Sequence, residues 1–307
     1  MEVAFHSAPG LSNSLQAVGF EMDVAQVSRG RLEGTFRLGG SQQLPVLSIQ
    51  TNQDLLLQGN RHPGVMPLSL NTNDEQPLVR GKETQPGSLH GFQTNLSDAF
   101  VQLPAGAHIQ VALISQTQFE QLATATGDHQ TLEVIQRANS ANLHPQRFDE
   151  ISALIQAQLM GGGQEDLVEV AALEALSPHQ LQGTASGELD VGAGLMKDLV
   201  AWGFKNTGQA ITLNDLSATI FASRSSIVHH CRQSFGTGPM ALLKQIRLSQ
   251  VHHALSSPEV QQTIGGSTVH EIACHSASRA AITSPGITAT SSVNPPAPRF
   301  NGHPLRG

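Results

Sequence analysis

Residues 211–255, ITLNDLSATIFASRSSIVHHCRQSFGTGPMALLKQIRLSQVHHAL, constrain the fold of this chain more than any other stretch. They parse as three helices with legible stops. Thr212 is placed to cap the first, with Asp215 three residues on as a short-armed capping box, and Leu213, Leu216 and Ile220 form its apolar stripe. Ser223 caps the second, whose inward face is Ile227, Cys231 and Phe235 at i, i+4 and i+8. Gly236 ends it, and Pro239 opens a third helix carrying Leu242, Leu243, Ile246 and Leu248. Only Phe221-Ala222 separates the first two, which forces a steep crossing, the geometry that lets a second helix protrude into a major groove. Upstream, residues 195–205, with Leu199, Trp202 and Phe204, supply a support helix.

The outward positions of the second helix are Arg224, Ser225, Val228, His229 and Arg232. The order Asp215-Leu216, a Ser-capped second helix, Phe235-Gly236, Pro239-Met240 and Arg247-Leu248 resembles the first half of an AraC/XylS-family DNA-binding domain over residues 195–275. The resemblance implies a transcription regulator that binds double-stranded DNA. Ser225, Val228 and His229 would face base edges, and Arg224 and Arg232 would stand at phosphate or groove contacts. His229 can donate to guanine O6 or N7, Val228 can press on a thymine methyl, and the arginines supply salt-dependent attraction. The resemblance also leaves room for a small-molecule effector, a homodimer and RNA polymerase as further partners. Two departures predict a looser core: Cys231 stands where the family packs a bulky aromatic, and Phe221 replaces a turn glycine.

From about residue 17 to 115 the chain alternates short apolar runs with Gly, Pro and Asn, as at 44–49, 55–57, 65–70 and 108–114. That rhythm predicts many short strands in a barrel or sandwich, and the resemblance implies a cupin-like sensor, with Pro104-Ala105-Gly106 as one turn. The period then changes. Ile151, Leu154, Ile155 and Leu159, and after Gly161-Gly162-Gly163 the residues Leu167, Val168, Val170, Leu173 and Leu176, fall at helical spacing. This predicts a helical connector or a dimerising layer. Residues 182–194, rich in Gly, Ser and Ala, read as a linker.

Charge supports that boundary. Residues 1–194 hold 8 Lys+Arg against 20 Asp+Glu, whereas 195–275 hold 6 against 4 within a chain of net charge -7, so only the second stretch sits comfortably on phosphates. At 307 residues the chain exceeds what one core usually organises. The expected division is a β-rich sensor or oligomerisation domain at 1–147, connector and linker at 148–194, a helix-turn-helix domain at 195–275, and a tail at 276–307; the class is α+β. Two cysteines, no basic-apolar leader in MEVAFHSAPG and no membrane-length apolar run point to a cytoplasmic chain without a disulfide framework.

The end of the chain departs from the family. Residues 268–273, Thr-Val-His-Glu-Ile-Ala, look like the opening of a second helix-turn-helix, but after Cys274 the helical period collapses into a Pro-, Ser- and Thr-rich tail read as disordered. Shifting the implied codons of residues 282–294 by one register permits His-Phe-Ser-Arg-Asp-Tyr-Arg-His-Gln-Phe-Gly-Glu, the phrase such a motif requires. A frameshift is therefore expected to have replaced the second recognition helix. One alternative function is a sensor or dimerisation protein that has lost specific DNA binding. Another is a zinc hydrolase using His270, Glu271 and Cys274, although this set has Cys at the second ligand place and no third ligand.

Catalysis is otherwise not indicated. No Gly-x-Ser-x-Gly elbow occurs, the triple glycine lacks a phosphate-loop Lys, and no metal or cofactor is expected from the barrel, which has no His-x-His signature. Trp202 and Phe204 read as packing residues and Arg247 as an internal brace, and the alternative to DNA contact for Arg224 and Arg232 is an ordinary solvated helix face.

Overall fold

A computed structural model describes residues 1–206 and 211–256. Strands β1 (Glu2–Phe5), β2 (Glu21–Gln26), β3 (Gly34–Gly40), β4 (Pro45–Thr51), β5 (Leu55–Asn60), β6 (Val65–Asn71), β7 (Leu78–Val79), β8 (Lys82–Glu83), β9 (Ser88–His90), β10 (Asp98–Leu103) and β11 (His108–Ser115) make up most of the first 115 residues, with helix α1 (Ala8–Gln16) after β1. Helices α2 (Gln116–Ala125) and α3 (His129–Arg137), strand β12 (Ser140–Leu143), helices α4 (Pro145–Leu159) and α5 (Glu165–Leu176), and strand β13 (Leu181–Ala185) follow. Helices α6 (Val191–Lys205), α7 (Leu213–Thr219), α8 (Arg224–Phe235) and α9 (Pro239–Ser256) close the described chain.

The strands form two antiparallel sheets, ordered β1-β3-β4-β11-β6-β9-β12-β13 and β2-β5-β10-β7-β8. Period-two alternation assigns each side chain to a layer. On β4 and β11, Val46, Ala112 and Ile114 point to one side and join a core with Ile151, Ile155, Val168 and Leu176 of the helices. Leu47, Ile49, Ile109 and Leu113 point to the other and meet Val24, Leu55, Leu57 and Leu103 of the second sheet. The outer side of that second sheet, through Ala25, Leu56 and Phe100, packs on Met196, Leu199 and Val200 of α6 and, in the same core, Leu216, Ile227, Cys231 and Ile246. Helices therefore cover both outer faces, which is why these strands read as nearly continuous apolar runs. Each fully buried leucine contributes about 2 kcal/mol relative to an exposed one.

The expected class holds as a two-sheet body with helices, with three departures. The stretch 116–137, placed in the β-rich part, forms α2 and α3; Phe119, Ala123 and Ile135 seal the same core as α4 and α5. The connector stripe is only partly inward: Val168, Leu173 and Leu176 are buried, but Leu167 and Val170 are exposed. The linker reading of 182–194 is corrected, because β13 extends the large sheet by pairing with β12, and α6 starts at Val191 with Asp190 accepting from the Ala193 amide at 2.7 Å. Composition suggested slack here; pairing and capping remove it. Among the described residues no helix is long and apolar enough to cross a membrane. His270, Glu271, Cys274, the second motif and the tail lie outside the described residues.

Candidate nucleic-acid interface

Local chemistry builds α7 and α8 as read. The Thr212 hydroxyl accepts from the Asp215 amide at 3.3 Å, and the Asp215 carboxylate accepts from the Thr212 amide at 2.9 Å, closing the capping box. The Thr212 hydroxyl also donates to Asp215 Oδ2 at 2.7 Å, and this bond, with the one from the Thr212 amide, holds the Asp215 carboxyl below its ordinary pKa. The Ser223 hydroxyl accepts from the Ser226 amide at 3.1 Å and caps α8. Gly236, at φ 64°, ends it in the left-handed conformation that glycine adopts without a Cβ penalty.

The turn between the helices carries the cost. Phe221 has φ 53° and the residue is 95% exposed, so a bulky side chain holds a position suited to glycine without gaining a core contact. Phe221→Gly is expected to stabilise the chain by about 0.5 kcal/mol, because relief of about 1–2 kcal/mol of backbone strain outweighs the extra unfolded-state freedom of glycine, about 0.5–1 kcal/mol. The urea midpoint measures this; a lower midpoint in the glycine variant would show that the ring makes a stabilising contact.

The two faces of α8 differ sharply. Ile227 and Cys231 are fully buried, and burial pushes the Cys231 thiol up to about 12, leaving it an inert packing group. The cysteine fills its place in the core shared with α6 and α9, so the looser packing expected at this site is not what the described residues adopt. On the other face Arg224, Ser225, His229 and Arg232 are exposed, while Val228 is half-buried. Ser225, Val228, His229 and Arg232 recur at i, i+3, i+4 and i+7, one ridge of the helix. Arg224 lies beside them and donates from Nη1 to Asn214 Oδ1 of α7 at 3.0 Å, so its guanidinium is held across the turn. His229 and His230 meet edge to face with centroids 5.1 Å apart.

Support comes from α6 and α9. Trp202 and Phe204 are half-buried against their shared core, as packing residues should be, and Arg247 is half-buried on α9. Leu248, assigned to the buried stripe of α9, is 56% exposed. It stands two residues, or about 200°, from buried Ile246, on the opposite side of the helix.

No family model matches the chain, and no curated protein matches it in sequence. Solved structures similar to it include the AraC-like transcriptional activator CuxR, 12% identical, with 83% of this chain and 96% of that chain covered and a TM-score of 0.36. ToxT from Vibrio cholerae is 9% identical over 88% of this chain and 100% of that chain, with a TM-score of 0.29; another ToxT crystal structure gives 11%, 83%, 92% and 0.26. Neither likeness says what this chain binds.

A second polar cluster, missed in the sequence, lies where the sheets meet α6. Arg80 and Gly81 are the two central residues of the β7–β8 hairpin, with φ 53° and 77°, the positive pair a two-residue turn of this kind demands. Arginine pays a strain penalty there, yet its side chain is almost completely buried. Its Nε donates to the Gly187 carbonyl and its Nη1 to Asp98 Oδ2 at 2.9 Å. The same carboxylate oxygen accepts from Lys197 Nζ on α6. A Cβ on Gly81 would lie 2.4 Å from the Ala193 Cβ, so the hairpin tip sits directly on α6.

Proposed function

We propose that this chain is a transcription regulator of the AraC kind that binds duplex DNA through α8 and acts in the cytoplasm. The observation that supports it most is the division of α8. Its inner ridge is locked into a core with α6, α7 and α9, and its outer ridge offers two arginines, a histidine and a serine to solvent directly after a tight turn. A rigid helix with cationic and hydrogen-bonding groups on its free side suits major-groove entry, with Arg224 and Arg232 at phosphate or groove contacts and Ser225, Val228 and His229 toward base edges. The two-sheet body is the sensing half, and the residues that would carry DNA contact do no catalysis.

The test is the salt dependence of duplex binding, measured by fluorescence anisotropy on the full chain and its Arg224→Ala/Arg232→Ala variant. If each arginine neutralises one phosphate, the slope of log K against log salt falls by about 2 in the variant. An unchanged slope would place DNA elsewhere on the molecule.

A further inference from the structure

Phe221 is the most exposed large apolar residue among those described, and its left-handed backbone adds strain that a glycine would not carry. Nothing inside the described fold offsets either feature, because the residue joins no core. The turn that carries it is nevertheless firmly held. The Ile220 amide donates to the Leu216 carbonyl at 3.0 Å, the Ala222 amide donates to the Ser217 carbonyl at 3.2 Å, and the Ser217 hydroxyl donates back to the Ala222 carbonyl. Ile220 and Ala222, on either side of Phe221, pack against the core beneath α8. Both neighbours therefore turn inward and fix the residue that turns outward. Strain retained at a well-anchored position, with the side chain presented to solvent, is the pattern of a pre-positioned contact.

The surroundings point to the partner. Phe221 stands two residues before the Ser223 cap and three before Arg224, whose guanidinium is held by Asn214 across the same turn. With Arg232 further along α8, the exposed charge here is cationic and complements a polyanion. On a duplex the surface between phosphates is deoxyribose, whose C–H faces are apolar and suit a phenyl ring. We propose that Phe221 is a further DNA contact, its ring packing on deoxyribose at the groove edge beside Arg224, and that the strained turn is kept because it holds the ring there. This rests on the DNA-binding reading of α8 and adds to it an apolar contact that is independent of base sequence. Such a contact differs measurably from an arginine. A ring releases no counterion, so it strengthens binding equally at every salt concentration, whereas each arginine that neutralises a phosphate steepens the salt dependence.

The experiment follows fluorescence anisotropy of a labelled mixed-sequence duplex with the full chain across a salt series, for the parent and for Phe221→Gly, Phe221→Asn and Phe221→Leu. Glycine and asparagine accept the positive φ without the ring, and leucine keeps an apolar body under the same strain. Urea unfolding confirms that each variant folds. The glycine and asparagine variants are expected to bind about tenfold more weakly at every salt concentration, as partial burial of one phenyl ring implies, with the slope of log K against log salt unchanged. The leucine variant should stay within about threefold of the parent. Glycine and asparagine variants that bind as the parent does overturn the contact and assign the exposed ring to a protein surface. Loss confined to glycine would reflect turn flexibility, and loss with a shallower slope would reflect a displaced Arg224; either overturns it. These outcomes all require a parent that binds, whereas a parent that binds no duplex overturns the DNA-binding reading of α8 and this inference together.

Discussion

Replacing Asp98 by alanine is expected to destabilise the chain by about 3–5 kcal/mol, because it strands the buried Arg80 guanidinium and removes the anchor of Lys197 together. The effect reaches the large end of single substitutions because Arg80 is 6% exposed and Asp98 is its only ion-pair partner among the described residues. Asp98→Asn keeps the shape without the charge and should cost less. The pH dependence separates the two terms. Burial alone would raise the Asp98 pKa, but hydrogen bonds and charge from Lys197 and Arg80 outweigh it and hold the carboxyl below its ordinary value, with the Arg61 charge also nearby. A carboxyl whose folded pKa is depressed stabilises fully above its unfolded pKa and loses that stability as pH falls through the folded value. The advantage of the parent chain over Asp98→Asn in urea unfolding is therefore expected to be complete at neutral pH and to shrink below about pH 4. An advantage that grows on acidification would mean Asp98 is protonated in the fold.

The second large effect concerns recognition. Arg224→Ala/His229→Ala is expected to weaken binding to the chain's preferred site by about 2–6 kcal/mol, at about 1–3 kcal/mol for each good base or groove contact, and to leave the fold intact. Both side chains are exposed, and neither contributes to the core beneath α8. Competition between the preferred duplex and a scrambled one measures the loss. A uniform weakening on both duplexes would assign the two residues to the phosphate backbone rather than to base edges.

The helices at 212–236 were legible because capping is a local code: Thr212, Asp215, Ser223 and Gly236 act within four residues of themselves and perform the roles their chemistry suggests. The outward ridge followed from Ile227 and Cys231 by helical spacing alone, and half-buried Val228 marks where the ridge meets the core. The long strands were legible from their apolar runs. By contrast, α3 buries only Thr131 and Ile135, too few positions to impose a readable period. Strand β13, Leu-Gln-Gly-Thr-Ala, has little intrinsic preference for extension and forms because β12 offers it a partner. The Arg80, Asp98 and Lys197 cluster joins residues up to 117 positions apart, and nothing local marks Arg80 as buried. Its one signal was Arg-Gly at the centre of a short hairpin, where Asn-Gly would fit more easily.

The measurement closest to the central claim is selection of genomic fragments by the full chain and by Arg224→Ala/His229→Ala at physiological salt, with sequencing of the retained DNA. DNA reading by α8 predicts discrete enriched sites for the parent chain and their loss in the folded variant. The same enriched sites in both proteins, or no enrichment by the parent, would contradict it.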